Sequence, residues 1–126
     1  LNIMEKLELK HLAPYLPYGL KILNGKEYDI VTGIDNKTVI SLFRGSLENF
    51  TIMEDVKPIL RPLSDLQDSE NDIREMIEEY ACSDLTWIFV NDLGEIRQST
   101  FELLIQHHFD VFGLIEKGLA IDINTL

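Results

Sequence analysis

Apolar and polar positions change rhythm near the middle of the chain. From Leu20 to Met53 they run in short, mostly alternating stretches. From Ile73 onward they recur every three to four residues. A two-residue period places successive side chains on opposite faces of a strand, whereas a 3.6-residue period draws one stripe along a helix. Leu20-Lys21-Ile22-Leu23 therefore predicts a strand, and Asn24-Gly25 is a hairpin signal, because a type I′ turn needs positive φ at both central positions. Lys26 to Thr32 is the return strand, with Tyr28, Ile30 and Thr32 on one face and Asp29 and Val31 on the other. Gly33 to Lys37 is a second turn region. The β-branched run Thr38 to Phe43 is a third strand, ended by Arg44-Gly45-Ser46, and Glu48 to Met53 is a fourth. Pro58 and Pro62 confine Ile59-Leu60-Arg61 to an edge or an extended segment. Ahead of all this, Leu7 to Leu16 is an apolar lead-in. Pro14 and Pro17 leave it room for only a turn or two of helix.

The second half has a different texture. Ile73, Met76, Ile77, Tyr80 and Ala81 fall on one helical stripe, which predicts an amphipathic helix over 70–82. Thr86 to Val90 is a β-prone run, Asn91 to Gly94 a turn, and Ile96 the start of a returning strand. Ser99 with Glu102 three residues on has the form of a capping box and predicts a helix over 99–117. Phe101, Leu104, Ile105 and His108 share a face, the run Phe109 to Ile115 is buried, and Gly118 is the C-cap. Leu119 to Ile123 alternates and is expected to add a last strand to the sheet. The fold class is α+β: a small antiparallel sheet from the N-terminal half, with two or three helices from the C-terminal half packed on it. Residues 1–126 are expected to form a single domain, with Met4 as the native first residue.

Charge sharpens the division. The 126 residues are 45% apolar, enough for one core, and carry a formal net charge of −11. Residues 1–62 hold eight acids and eight bases, so the whole excess lies in residues 63–126, where fourteen acids face Arg74, Arg97 and Lys117. The densest stretch runs from Asp68 to Glu79. One reading is a solvated helix face whose first-turn acids suit the macrodipole. The other is a docking surface for a basic protein, carried by Glu75, Glu78 and Glu79. Direct nucleic-acid binding is not expected, because that affinity comes from Lys and Arg displacing counterions. No apolar run is long enough to span a membrane. No charged leader followed by an apolar run opens the chain, and the single cysteine excludes an intrachain disulfide, so a reducing, cytoplasmic setting is the expectation. Cys82 is expected to be a buried structural residue.

Chemistry-bearing motifs are scarce. Neither His-Glu-x-x-His nor Cys-x-x-Cys occurs, and no glycine-rich loop suits a phosphate. Neighbouring His107 and His108 point about 100° apart on a helix, while His107 and Asp110 at i and i+3 could meet on one face. No catalytic residue, metal ligand or cofactor is assigned. Tyr15 and Tyr18 flank Pro17 and suit either a peptide-binding surface or packing over the sheet.

Three phrases then stand out together: His11-Leu-Ala-Pro-Tyr-Leu-Pro-Tyr-Gly-Leu-Lys21, Lys57-Pro-Ile-Leu-Arg-Pro-Leu-Ser-Asp-Leu66, and the run from His108 through Phe112-Gly113 to Asn124. They cover about a third of the chain. In them the sequence resembles a group of small phage and prophage proteins of Bacteroides-type gut bacteria. The resemblance implies a mobile-element origin and a bacterial cytoplasm; it supplies no activity and no catalytic residue. Among the polar and aromatic positions of these phrases, those to test for a shared function are Tyr15, Tyr18, Arg61, Asp65, His108 and Asp110. Three functions follow for comparison. The first is a non-enzymatic accessory protein that binds another protein through the acidic half, with Glu75, Glu78, Glu79, Tyr15 and Tyr18 as contact residues. The second is a nucleic-acid mimic or counter-defence inhibitor. The third is a small hydrolase built from dispersed carboxylates and His108.

Overall fold

The computed structural model describes residues 6–24, 27–35, 37–43 and 47–126. A single helical turn, α1 (Leu9–Leu12), passes into a 3-10 turn over Ala13–Tyr18. Pro14 sits at its start and Pro17 inside it, and Gly19 at φ 69° releases the chain into the sheet, as a residue without Cβ can. Four strands follow: β1 (Lys21–Asn24), β2 (Glu27–Ile34), β3 (Thr38–Phe43) and β4 (Leu47–Ile52). They form an antiparallel meander in sequence order. The first hairpin pairs Lys21 with Ile30 and Asn24 with Glu27. Its connecting residues Gly25 and Lys26 lie outside the described residues, as do Met4 and the Arg44-Gly45-Ser46 break.

The inner face of this sheet enters the core and the outer face does not. Ile22, Asp29, Val31, Val39 and Ser41 are buried. A bulge between Val31 and Gly33 shifts the register against β3 by one residue. The shift swaps which side chains point inward, so that Ile34 packs against the core beyond it. On the other face Leu23, Tyr28, Ile30, Phe50 and Ile52 stand exposed.

The α+β architecture is the one expected, with several elements placed differently. The short strand β5 (Ile59–Leu60) pairs in parallel with β6 (Ile121–Asp122), so the chain's last strand builds a second, two-stranded sheet instead of extending the meander. The two sheets meet where Ile22 bridges Pro58 and Leu23 N–H donates to the Lys57 carbonyl at 3.3 Å. The β-prone run Thr86–Phe89 is helical, and continues α2 (Asp72–Phe89) past a kink at Ala81 (φ −155°, ψ 51°). Burial of Leu85 and Ile88 overrides strand propensity there. Ile96 opens no strand. The last helix, α3 (Gln98–Gln106), stops eleven residues earlier than its apolar run suggested. His108 at φ 62° turns the chain out of the helix, and Phe109 to Gly118 follows as a series of turns whose Phe109, Val111 and Leu114 are buried. The expected Ser99 capping box is not what starts α3: Arg97 holds the cap position, without a side-chain cap of its own.

Candidate functional site

Helix α2 begins on Asn71, whose Oδ1 accepts from the Ile73 and Arg74 amides at 2.9 and 3.2 Å, a side-chain N-cap. Ile73, Ile77, Ala81, Leu85 and Ile88 face the core. The opposite surface carries Asp72, Glu75, Glu79 and two large side chains that the spacing had placed in the buried stripe. Met76 is 40% exposed and Tyr80 75% exposed. The buried line on α2 is narrower than the apolar pattern, and the kink at Ala81 starts the next turn on a fresh line. Glu75, Glu78 and Glu79 are all exposed, as the acidic-surface reading requires.

Arg74 and Arg97, two of the three bases of this half, are held by the fold. Arg74 is the only base between Asp68 and Ile96. Its Nε donates to Glu78 at 2.8 Å, its Nη1 to the Leu66 and Gln67 carbonyls at 3.1 and 2.9 Å, and its guanidinium lies over the Phe89 ring at 5.6 Å. Arg97 serves the kink: its Nη1 donates to the Tyr80 carbonyl at 2.7 Å, an acceptor freed where the helix is broken. Asp84, buried on α2, accepts from Thr100 Oγ1 at 2.7 Å and from the Arg97 amide at 3.2 Å. A carboxylate from α2 thereby satisfies an amide at the start of α3, the place where Ser99 was expected to act.

The six positions singled out within the three phrases are brought together, as a brace within the fold. The Tyr15 hydroxyl donates to the Phe109 carbonyl and accepts from the Val111 amide. Burial pushes this phenol well above its ordinary range; the Val111 amide opposes the shift and the Asp110 charge adds to it. His108 Nε2 lies 2.6 Å from the Tyr18 carbonyl. Arg61 exchanges backbone hydrogen bonds with His108 and Asp110, both at 2.8 Å. Its guanidinium covers the Phe109 ring at 4.4 Å and approaches Asp65 at 4.0 Å. Asp110, buried, accepts from the Leu114 and Ile115 amides, each at 2.8 Å. Tyr15 is therefore enclosed and has no surface to offer a partner, which corrects the expectation for it. Tyr18 is 41% exposed. The expected meeting of His107 with Asp110 gives way to these bonds. Burial, then the charges of Arg61 and His108, pull the His107 pKa down. A cleft bordered by Asp110 is otherwise lined by residues such as Pro62, Gln67, Phe89 and Ile115. His108 is not among the lining residues, so the geometry assembles no His108–carboxylate site there.

A second polar cluster lies in the sheet. Asp29 Oδ2 accepts from Ser41 Oγ at 2.9 Å and Asn49 Nδ2 at 3.0 Å, across three strands. Its signal in the sequence is the aspartate that shares the Val31 face of β2. Cys82 is exposed, not buried. It follows the kink at Ala81, on the solvent side of the buried line. Among the described residues no group of three or more His, Cys, Asp or Glu side chains could hold a metal ion, and no helix is long and apolar enough to cross a membrane. No family model, no curated protein and no solved structure matches the chain.

Proposed function

We propose that the protein is a non-catalytic binding module that docks a basic protein against the outer surface of α2. The observation that carries this reading is the pairing on that surface of exposed Met76 and Tyr80 with exposed Glu75 and Glu79. Each pair is spaced i, i+4, so the helix offers an apolar row beside an acidic one. Arg74, the base nearest them in the sequence, is engaged with Glu78 and two carbonyls. Rows of this kind suit a partner that presents Lys or Arg around an apolar contact: the charges steer the encounter and the large side chains supply the buried anchor. The resemblance to small Bacteroides-phage proteins supports an accessory role in a host cell, with a host or phage protein as partner.

The test is capture of partners from a gut-Bacteroides lysate at low and moderate salt, with wild type beside a Glu75→Lys/Glu79→Lys variant and a Tyr80→Ser variant. The reading expects a basic protein that wild type retains at low salt and sheds at higher salt, and that both variants lose. A retained set identical for all three proteins, or one without a basic member, contradicts it.

A further inference from the structure

The outer face of the meander carries a group of exposed large apolar side chains. Leu23, Tyr28, Ile30, Phe50 and Ile52 are between 36% and 67% exposed, and the half-buried Ile40 and Leu42 lie among them. At roughly 200 Å² for a large side chain, the five alone leave on the order of 500 Å² of apolar surface in water. That matches the largest apolar patch of a typical monomer, roughly 300–600 Å², which is often functional.

Among the described residues, the charged strand positions of this face fall in one row. Lys21 pairs with Ile30, Ile30 with Leu42, and Leu42 with Glu48. The row therefore runs Lys21–Ile30–Leu42–Glu48 across all four strands, a cation at the β1 edge and an anion at the β4 edge. Lys21 Nζ lies 4.5 Å from the centre of the exposed Tyr28 ring, which places both side chains on the outer face. A two-fold axis along the strands, between β2 and β3, turns the sheet over and reverses the strand order. Lys21 of one copy then stands over Glu48 of the other, twice, and Ile30 over Leu42 between them. A row that complements its own reversed copy is what an isologous contact needs.

From this geometry we infer that the outer sheet face is the interface of a homodimer, two meanders stacked face to face with their strands nearly aligned. The area fits: about 500 Å² of apolar core per copy with a polar rim approaches the ~800 Å² per partner of a standard interface. The charge distribution fits as well. The interface comes from the half of the chain whose formal charge is zero, whereas the excess of −11 lies in residues 63–126. The helices of that half contribute to the core together with the buried face of the sheet, not its outer face.

Sedimentation equilibrium of the full chain over a concentration series, from about 1 μM to about 1 mM, tests this. The expected result is a mass that rises to twice that of the chain. Lys21→Glu and Glu48→Lys should each raise the dimer Kd about tenfold or more, because each sets like charges opposite one another. The combined Lys21→Glu/Glu48→Lys variant should return it close to the wild-type value. Phe50→Ser should raise it at least as far, with an unchanged circular-dichroism spectrum showing that the meander still forms. A chain that stays monomeric at about 1 mM overturns the inference and assigns the face to a different partner. A dimer indifferent to the two charge reversals overturns it equally, whether or not Phe50→Ser weakens it.

Discussion

Replacing Asp110 by alanine takes both acceptors away from the Leu114 and Ile115 amides. Each bond is 2.8 Å long, and Leu114 is fully buried, so water offers little compensation. A hydrogen bond to a charged group contributes about 1.5–3 kcal/mol. Losing two, with some relaxation of the turn, should cost about 3–5 kcal/mol. A domain of this size holds roughly 6–15 kcal/mol in total, so Asp110→Ala should remain folded only marginally. Asp110→Asn is the more informative variant. It keeps one acceptor but points a donor at the other amide, and should cost about 2 kcal/mol. With a urea slope of ~1–3 kcal/mol per M, equilibrium unfolding followed by Trp87 fluorescence should show the midpoint falling by about 1 M for Asp110→Asn. The midpoint should fall by about twice that for Asp110→Ala. An asparagine variant within ~0.5 kcal/mol of wild type would refute the claim that this carboxylate organises the Asp110–Gly118 turns.

Other consequences are open to direct measurement. Tyr15→Phe removes a hydroxyl that bonds the Phe109 carbonyl and Val111 amide and should cost about 1–3 kcal/mol, read as a lower thermal midpoint with no change in secondary structure. Asp35 is held below its ordinary pKa of 3.8, first by the Lys37 and then by the Thr38 amide. The unfolded chain therefore takes up that proton before the folded one does, and stability present above this value is lost as the pH falls through the lower folded pKa. Asp35→Asn should flatten that acid limb, and unchanged dependence of the melting temperature below about pH 4 would contradict it. Cys82 is exposed, so a thiol reagent should modify it in the native protein at a rate close to that in urea. Protection by more than about a hundredfold would contradict its placement.

Much of the fold is legible locally because its causes are local. The meander follows from two-residue alternation and turn chemistry, and the short lead-in from Pro14 and Pro17. The start of α2 at Asn71 follows from its acids and its apolar stripe. What is not legible depends on distant partners. Thr86–Phe89 has strand-forming residues, yet Leu85 and Ile88 are buried beyond the kink in the same core as Ile73 and Ile77. The start of α3 is supported by Asp84 from another helix. Its end is set by Phe109, which must turn back beneath the Arg61 guanidinium and the Tyr15 hydroxyl. The nearly continuous apolar run from Phe109 to Ile115, broken only at Asp110 and Gly113, shows burial but no period, so it reads as a helix where the chain makes turns. Of the partner-contact residues read from the sequence, Glu75, Glu78 and Glu79 are on the surface because charged side chains avoid burial. Tyr15 is not, because a tyrosine suits an interface and a core with one polar need equally well. The exposed Met76 and Tyr80 could not be told from core residues by spacing alone.

Hydrogen exchange on the protein with and without its captured basic partner tests the central claim most directly. The account predicts slowed exchange along Asp72–Tyr80, with the Phe109–Gly118 turns unchanged, and loss of that protection in the Glu75→Lys/Glu79→Lys variant. Protection elsewhere that leaves α2 untouched would contradict the assignment of the binding surface.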